Sequence, residues 1–242
     1  GAAATLIGHD GKALPMLDYE HTGPDALTAA YDSIRPDFAQ TGSPRLPMGL
    51  NLGAQLHWQF VTDQSLRERA KHIVTYPQYW GYRLTGELAC DLCSLGCHTD
   101  LWLPLKAQFS DLVDHLGIRE LLAPPRRPAE ILGAISAQAT LETGLPKGLP
   151  VAVGIHDSNA SLYPHLLARD GAFSVVSTGT WVIMMAMRGD STRLDPTRDT
   201  LVNVNGLGEP VPSARFMGGR EFDMINQGWT GEVTAADRNA VF

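Results

Sequence analysis

Cysteine is scarce, basic clusters are missing and no long apolar run is present, and each shortage closes off a class of function. Three cysteines in 242 residues are too few, and odd in number, for a disulfide framework, which points to a reducing compartment. Lys and Arg total 19 against 26 Asp and Glu, a net charge of −7. The densest basic cluster is Arg126-Arg127, fenced by prolines in PPRRP. Affinity for a nucleic-acid backbone needs clustered cations, so no nucleic-acid partner is expected. No apolar run approaches the roughly 18 residues of a membrane-spanning helix, and the opening residues lack the charged-then-apolar pattern of a signal peptide. The composition therefore predicts a soluble, cytoplasmic protein with no membrane partner. It leaves a homo-oligomer open.

What is present is core material: 44% of the residues are hydrophobic, enough for one core or two smaller ones. Apolar runs at 2–7 and 13–18 flank His9-Asp10-Gly11, a hairpin signal. Apolar spacing of three and four predicts helices over 24–34, 50–61, 65–71, 77–84 and 110–116, the last closed by Gly117. PPRRP, at 124–128, reads as a stiff exposed linker. Strands are predicted over 130–135, 151–155, 172–177, 181–187, 200–204 and 211–216. Between and after them come helices over 158–168 and 219–226, and a last one capped by Thr234. Short strands interleaved with helices make the fold class α/β with a mixed sheet.

Two motifs carry chemistry. Asp157 stands where the apolar run 151–155 gives way to a helix. A carboxylate there can accept a proton from a bound hydroxyl, or can simply cap the helix. Thr178-Gly179-Thr180 breaks the next β-rich run. Glycine permits the positive-φ geometry that lines up N–H groups for an anion, and the hydroxyls add donors, although hairpin turns use the same letters. Asn51 and Gln55, four apart, share a helix face. A rival signal is Cys90-x-x-Cys93-x-x-x-Cys97-His98, soft ligands at close spacing for zinc or an iron–sulfur cluster. With no second cysteine pair, buried free thiols are the default reading.

The segments GIHDS and STGT, with GSPRLPMGLNLGAQLHWQF, YPQYWGYRLTGELACD, SLGCHTDLW and FMGGREFD, resemble in order and spacing the FGGY carbohydrate kinases of the actin/hexokinase/Hsp70 ATPase superfamily. The resemblance implies a ribonuclease H-like, actin-like ATPase fold. It further implies ATP-dependent phosphorylation of a sugar hydroxyl, with a ketose or related sugar as the small-molecule partner and ATP and Mg²⁺ as cofactors. It makes Asp157 the general base with a water-mediated contact to Mg²⁺. It makes Thr178, Gly179 and Thr180 the phosphate turn, and Asn51, His98, His156 and Ser158 sugar-contact candidates. It divides the chain into a sugar-binding first lobe, 1–170, and the start of an ATP-binding second lobe, 171–242. The N-terminal phosphate turn of the family is expected to lie outside these residues, and the 242 residues alone are expected to be inactive. Two alternatives remain: a non-catalytic sugar- or nucleotide-sensing module of the same fold, and a metal-binding domain centred on Cys90–His98.

Overall fold

The computed structural model describes residues 2–179 and 181–227. Strand β1 (Ala4–Gly8) pairs antiparallel with β2 (Ala70–Thr75), with Leu6 opposite Ile73 and a bulge between Ile7 and Gly8. Successive strand residues point to opposite faces, and here both faces are covered. Leu6 and Ile73 enter one core with Leu56, Tyr31 and Leu112, while Ile7 and Val74 enter another with Tyr79, Leu95 and Trp102. Helix α1 (Leu52–Thr62) packs into the first core, and α2 (Tyr76–Thr85), closed by Gly86 at φ 85°, into the second. Each fully buried aliphatic side chain contributes about 1.5–3 kcal/mol.

Strand β2 corrects the helix predicted over 65–71. Only Leu66–Arg69 is helical, and the chain then extends. Arg67, Arg69 and Lys71 suit an exposed helix face, but the β-branched Ile73, Val74 and Thr75 that follow have partners on both sides. Besides β1, Ile73 donates to the Leu121 carbonyl at 2.7 Å and accepts from Ala123 N–H at 2.9 Å. Tertiary pairing therefore overrides local propensity. The 9–11 turn forms as predicted, but its far arm meets β1 through Leu14 N–H to the Leu6 carbonyl and a single bridge, Ile7 to Ala13. Within PPRRP, Pro125–Arg126 is a short strand parallel to Cys90–Asp91.

Strand β3 (Ile131–Ala134) pairs with β4 (Pro150–Ala152), and α3 (Asp157–Ala168) follows. The chain then forms a four-stranded antiparallel sheet from β5 (Phe173–Ser177), β6 (Val182–Met187), β7 (Thr200–Val204) and β8 (Pro210–Phe216), in the order β7-β8-β6-β5. Helix α4 (Gly218–Gln227) is the last described element. The helix predicted beyond Thr234 lies outside the described residues. One face of the sheet packs against α3 through Leu162, Met185, Met187 and Val211. The edge strand β7 leans on the first part of the chain, where Val204 comes so close to Gly96 that an added Cβ would lie 2.2 Å from a valine methyl.

Candidate active site

The corner between β4 and α3 is built to present Asp157. Val153, 1% exposed, donates to the Glu130 carbonyl at 2.8 Å, and its own carbonyl accepts from Gln78 Nε2 at 3.2 Å. Gly154 then turns at φ 92°, a left-handed conformation that L side chains rarely adopt. His156 is the residue before the helix, and Asp157 is its first residue. The helix thus begins one residue earlier than predicted. Asp157 is not its cap: Oδ1 accepts from the adjacent Ser158 N–H at 2.6 Å and from Ser158 Oγ at 3.4 Å, and the side chain is 70% exposed. Burial alone would raise its carboxyl pKa, but its surroundings, the His156 ring and the Ser158 N–H among them, hold it below the ordinary value. Asp157 is therefore an ionised, accessible acceptor.

Asp157 stands at a cavity of about 150 Å³ that also collects Leu50, Cys97, His98, His156 and Ser158 from the first part of the chain. The sheet supplies the facing wall: Trp181, Ile183, Leu201, Asn203 and Arg215. Ile183, Leu201, Asn203 and Arg215 share one face because the strand register makes them do so, and Trp181 immediately precedes β6. Ile183 lies opposite Arg215, and Leu201 and Asn203 lie opposite Ser213 and Val211 of the same face.

Both imidazoles here are neutral. His98 has its Nδ1 2.5 Å from the Leu50 carbonyl, which can only accept, so Nδ1 carries the proton and Nε2 is left as an acceptor. Burial, reinforced by the nearby Arg215 charge, pushes its pKa down to about 3. Burial brings His156 to about 4 despite the neighbouring Asp157 carboxylate. His156 Nδ1 approaches Asp157 Oδ1 to 3.0 Å without the alignment of a hydrogen bond. His98 is held in a left-handed conformation, φ 41°, as is Asp100, φ 62°. The buried Asp100 fixes that loop: it accepts from Tyr31 Oη at 2.6 Å and from Arg35 Nη2 at 2.9 Å.

Of the predicted site residues, Asp157, His156, Ser158 and His98 meet in the cavity. Asn51 does not. It is fully buried, its Oδ1 accepting from Leu46 N–H at 2.7 Å and its Nδ2 donating to Ser43 Oγ and to the Pro44 and His98 carbonyls. The amide is spent on shaping the loop under His98, so the predicted sugar contact gives way to a structural part. Thr178 and Gly179 form an exposed bend just before Trp181 and outside the cavity lining. Gly179 is not among the positive-φ residues, so the conformational argument made for it fails. What glycine gives is space, with only the Trp181 carbonyl, at 3.7 Å, near a would-be Cβ. Thr180 lies outside the described residues. The metal-centre alternative finds no support. Cys90, Cys93 and Cys97 are buried free thiols, and no group of three His, Cys, Asp or Glu able to hold a metal occurs among the described residues. Sequence reasoning missed Trp181, Asn203 and Arg215, whose one available signal was their alternation along strands.

Comparison with known proteins now bears on this geometry. The description "FGGY family of carbohydrate kinases, N-terminal domain" matches residues 38–163, and "Carbohydrate kinase FGGY, C-terminal domain" matches 170–241. The chain belongs to the FGGY family of carbohydrate kinases. Like other FGGY chains it has the actin-like ATPase fold. A rhamnulokinase from Pectobacterium carotovorum is 33% identical over 190 residues, covering 76% of this chain and 36% of that protein. An L-fuculokinase from Salmonella typhi is 27% identical over 192 residues, covering 78% and 40%. The crystal structure of a carbohydrate kinase from Novosphingobium aromaticivorans superposes with a TM-score of 0.86 at 41% identity, covering 94% of this chain and 51% of that one. This FGGY chain thus spans about half or less of the relatives it matches.

Proposed function

We propose that the protein is an ATP-dependent sugar kinase in which Asp157 is the general base. The observation that carries this is an ionised, exposed carboxylate at the mouth of a cavity, placed by a glycine corner beside neutral histidine and serine side chains. In the reaction the acceptor hydroxyl oxygen forms a bond to the γ-phosphorus, the bond to the β–γ bridging oxygen breaks, ADP leaves with that electron pair, and the hydroxyl proton passes to Asp157. His98 Nε2 and Ser158 Oγ supply an acceptor and a donor–acceptor for the remaining sugar hydroxyls. His156 crowds the carboxylate and limits its rotation.

Asp157 suits a hard cation as well. Its carboxylate is an oxygen ligand at the cavity, and the described cavity lining holds no second carboxylate. Magnesium commonly takes one or two carboxylates, with phosphates and waters completing the shell, which agrees with contact through water. When bound, magnesium would neutralise charge on the triphosphate. The exposed 178–179 bend, and Thr180 after it, are the proposed phosphate-binding turn, and 1–170 and 171–242 the sugar-binding and nucleotide-binding lobes. Support for the first of these lies in its position between β5 and the cavity residue Trp181.

The test is Asp157→Asn in the full-length protein. General-base removal costs about 10²- to 10⁴-fold in rate, so sugar-dependent ADP release is expected to fall by that much while ATP binding, measured by calorimetry, persists. Undiminished turnover would remove the base assignment. Sugar binding without any ADP release in the unmutated protein would favour the sensing module instead.

A further inference from the structure

The cavity wall contributed by the sheet carries a charge that a neutral sugar does not require. Arg215 rises from β8 opposite Ile183, its guanidinium carbon 5.1 Å from the Trp181 ring centroid. Its Nε is buried with no hydrogen-bond partner, and no carboxylate among the described residues comes within ion-pair distance of it. Asp199 gives its main-chain carbonyl to Arg215 N–H at 2.9 Å, and its carboxylate acts on the guanidinium from beyond ion-pair distance. A second unsatisfied atom lies in the same wall. Asn203 Nδ2 donates to Ser213 Oγ at 3.0 Å, leaving the buried Oδ1 without a donor. Buried donors and acceptors are nearly always satisfied in a folded protein. Arg215 and Asn203 both line the cavity, so its sheet wall offers an unpaired guanidinium to an oxyanion and a side-chain amide to a hydroxyl.

We propose that the acceptor is a polyhydroxy acid, an aldonate- or uronate-type sugar whose carboxylate is bound by Arg215 on the Trp181 platform, with a neighbouring hydroxyl on Asn203 Oδ1. The inference rests on the kinase reading and sharpens it. A guanidinium matches a carboxylate with two parallel N–H donors, and stacking on an aromatic face holds its plane still. Asp157 is the one carboxylate of the described lining, so the acid end of the acceptor is drawn to the Arg215 wall and away from the catalytic base. The acceptor is thereby oriented with a hydroxyl, not its carboxylate, toward Asp157.

An oxyanion at Arg215 has two possible sources, the acceptor or the nucleotide, and the experiment separates them. Full-length protein is assayed for ADP release with matched pairs, gluconate against glucose and galacturonate against galactose, and Arg215→Met and Arg215→Lys are compared with it. A hydrogen bond to a charged group is worth about tenfold to a hundredfold, so at least one acid is expected to exceed its neutral partner by that factor in kcat/KM. Arg215→Met is expected to erase that preference, Arg215→Lys to keep part of it, and both to bind ATP as the parent does. Equal use of acids and neutral sugars by the unmutated protein overturns the inference and leaves the kinase reading standing, and needs no variant to fold. Loss of ATP affinity in Arg215→Met with the acid preference intact assigns Arg215 to phosphate and also overturns it. Phosphorylation of no sugar or sugar acid in a broad panel overturns the kinase reading, and this inference with it.

Discussion

At the scale of single residues, the site is defined by what burial does to ionisation. His98 and His156 are buried neutral, with pKa values pushed down to about 3 and about 4, against about 6.5 in the unfolded chain. A base whose folded pKa is depressed contributes stability that is complete above the unfolded value and is lost as pH falls toward the folded one. Between about pH 6.5 and 4 each such histidine costs up to about 1.4 kcal/mol per pH unit. His98→Gln is therefore expected to show a shallower loss of stability on acidification than the parent, read as denaturant midpoints at a series of pH values. Parallel slopes would mean that His98 titrates normally. The thiols follow the same logic. Burial raises all three, Cys90 and Cys97 to about 12. Ellman's reagent is expected to react with none of them quickly in the native protein and with three after denaturation, and elemental analysis to find no stoichiometric zinc.

At the scale of elements, the corner at Asp157 was legible because its signals are local: an apolar run, a glycine and a polar residue at a helix start. The loop holding His98 was not. Its shape depends on Asp100, Tyr31 and Arg35, which are far apart in sequence and meet only in the folded core. Asn51 was misread for the same reason, since nothing in its neighbourhood reveals that four partners wait for its amide. Asp100→Ala would leave Arg35 partly buried and unpaired, a loss of about 3–5 kcal/mol for a broken buried ion pair. Its thermal melt is expected to fall sharply, while an acceptor-bound crystal form or saturating ligand should recover part of the His98 geometry. Helix α1 supplies a second case. Gly53 donates to the Thr99 carbonyl at 2.9 Å, and an added Cβ would lie 2.5 Å from Tyr31 Oη and 2.9 Å from the same carbonyl. Glycine there lets a helix lie against a loop backbone, a reason no periodicity could have shown.

At the scale of the whole molecule, the cavity exists because the four-stranded sheet rests against the first part of the chain, and Gly96 sets how closely. Gly96→Ala would press a methyl group on Val204 and is expected to cost about 1–3 kcal/mol through overpacking. Hydrogen exchange should then quicken in 200–204 before it does in β1 and β2, and uniform exchange would show that the two parts unfold together. Element order along most of the chain could be read in advance, since strands and helices announce themselves by period. Which face of the sheet would become a wall could not, because that depends on pairings such as Ile183 with Arg215 and Leu201 with Ser213. Those pairings have one more implication. Side chains alternate with each rung, so a strand displaced by one position would swing all its cavity-facing groups to the opposite side at once. Damage transmitted through this sheet should accordingly appear as a mixture, some molecules fully competent and the rest blind to ligand, and titration of binding sites would count the two populations instead of finding one uniformly weakened.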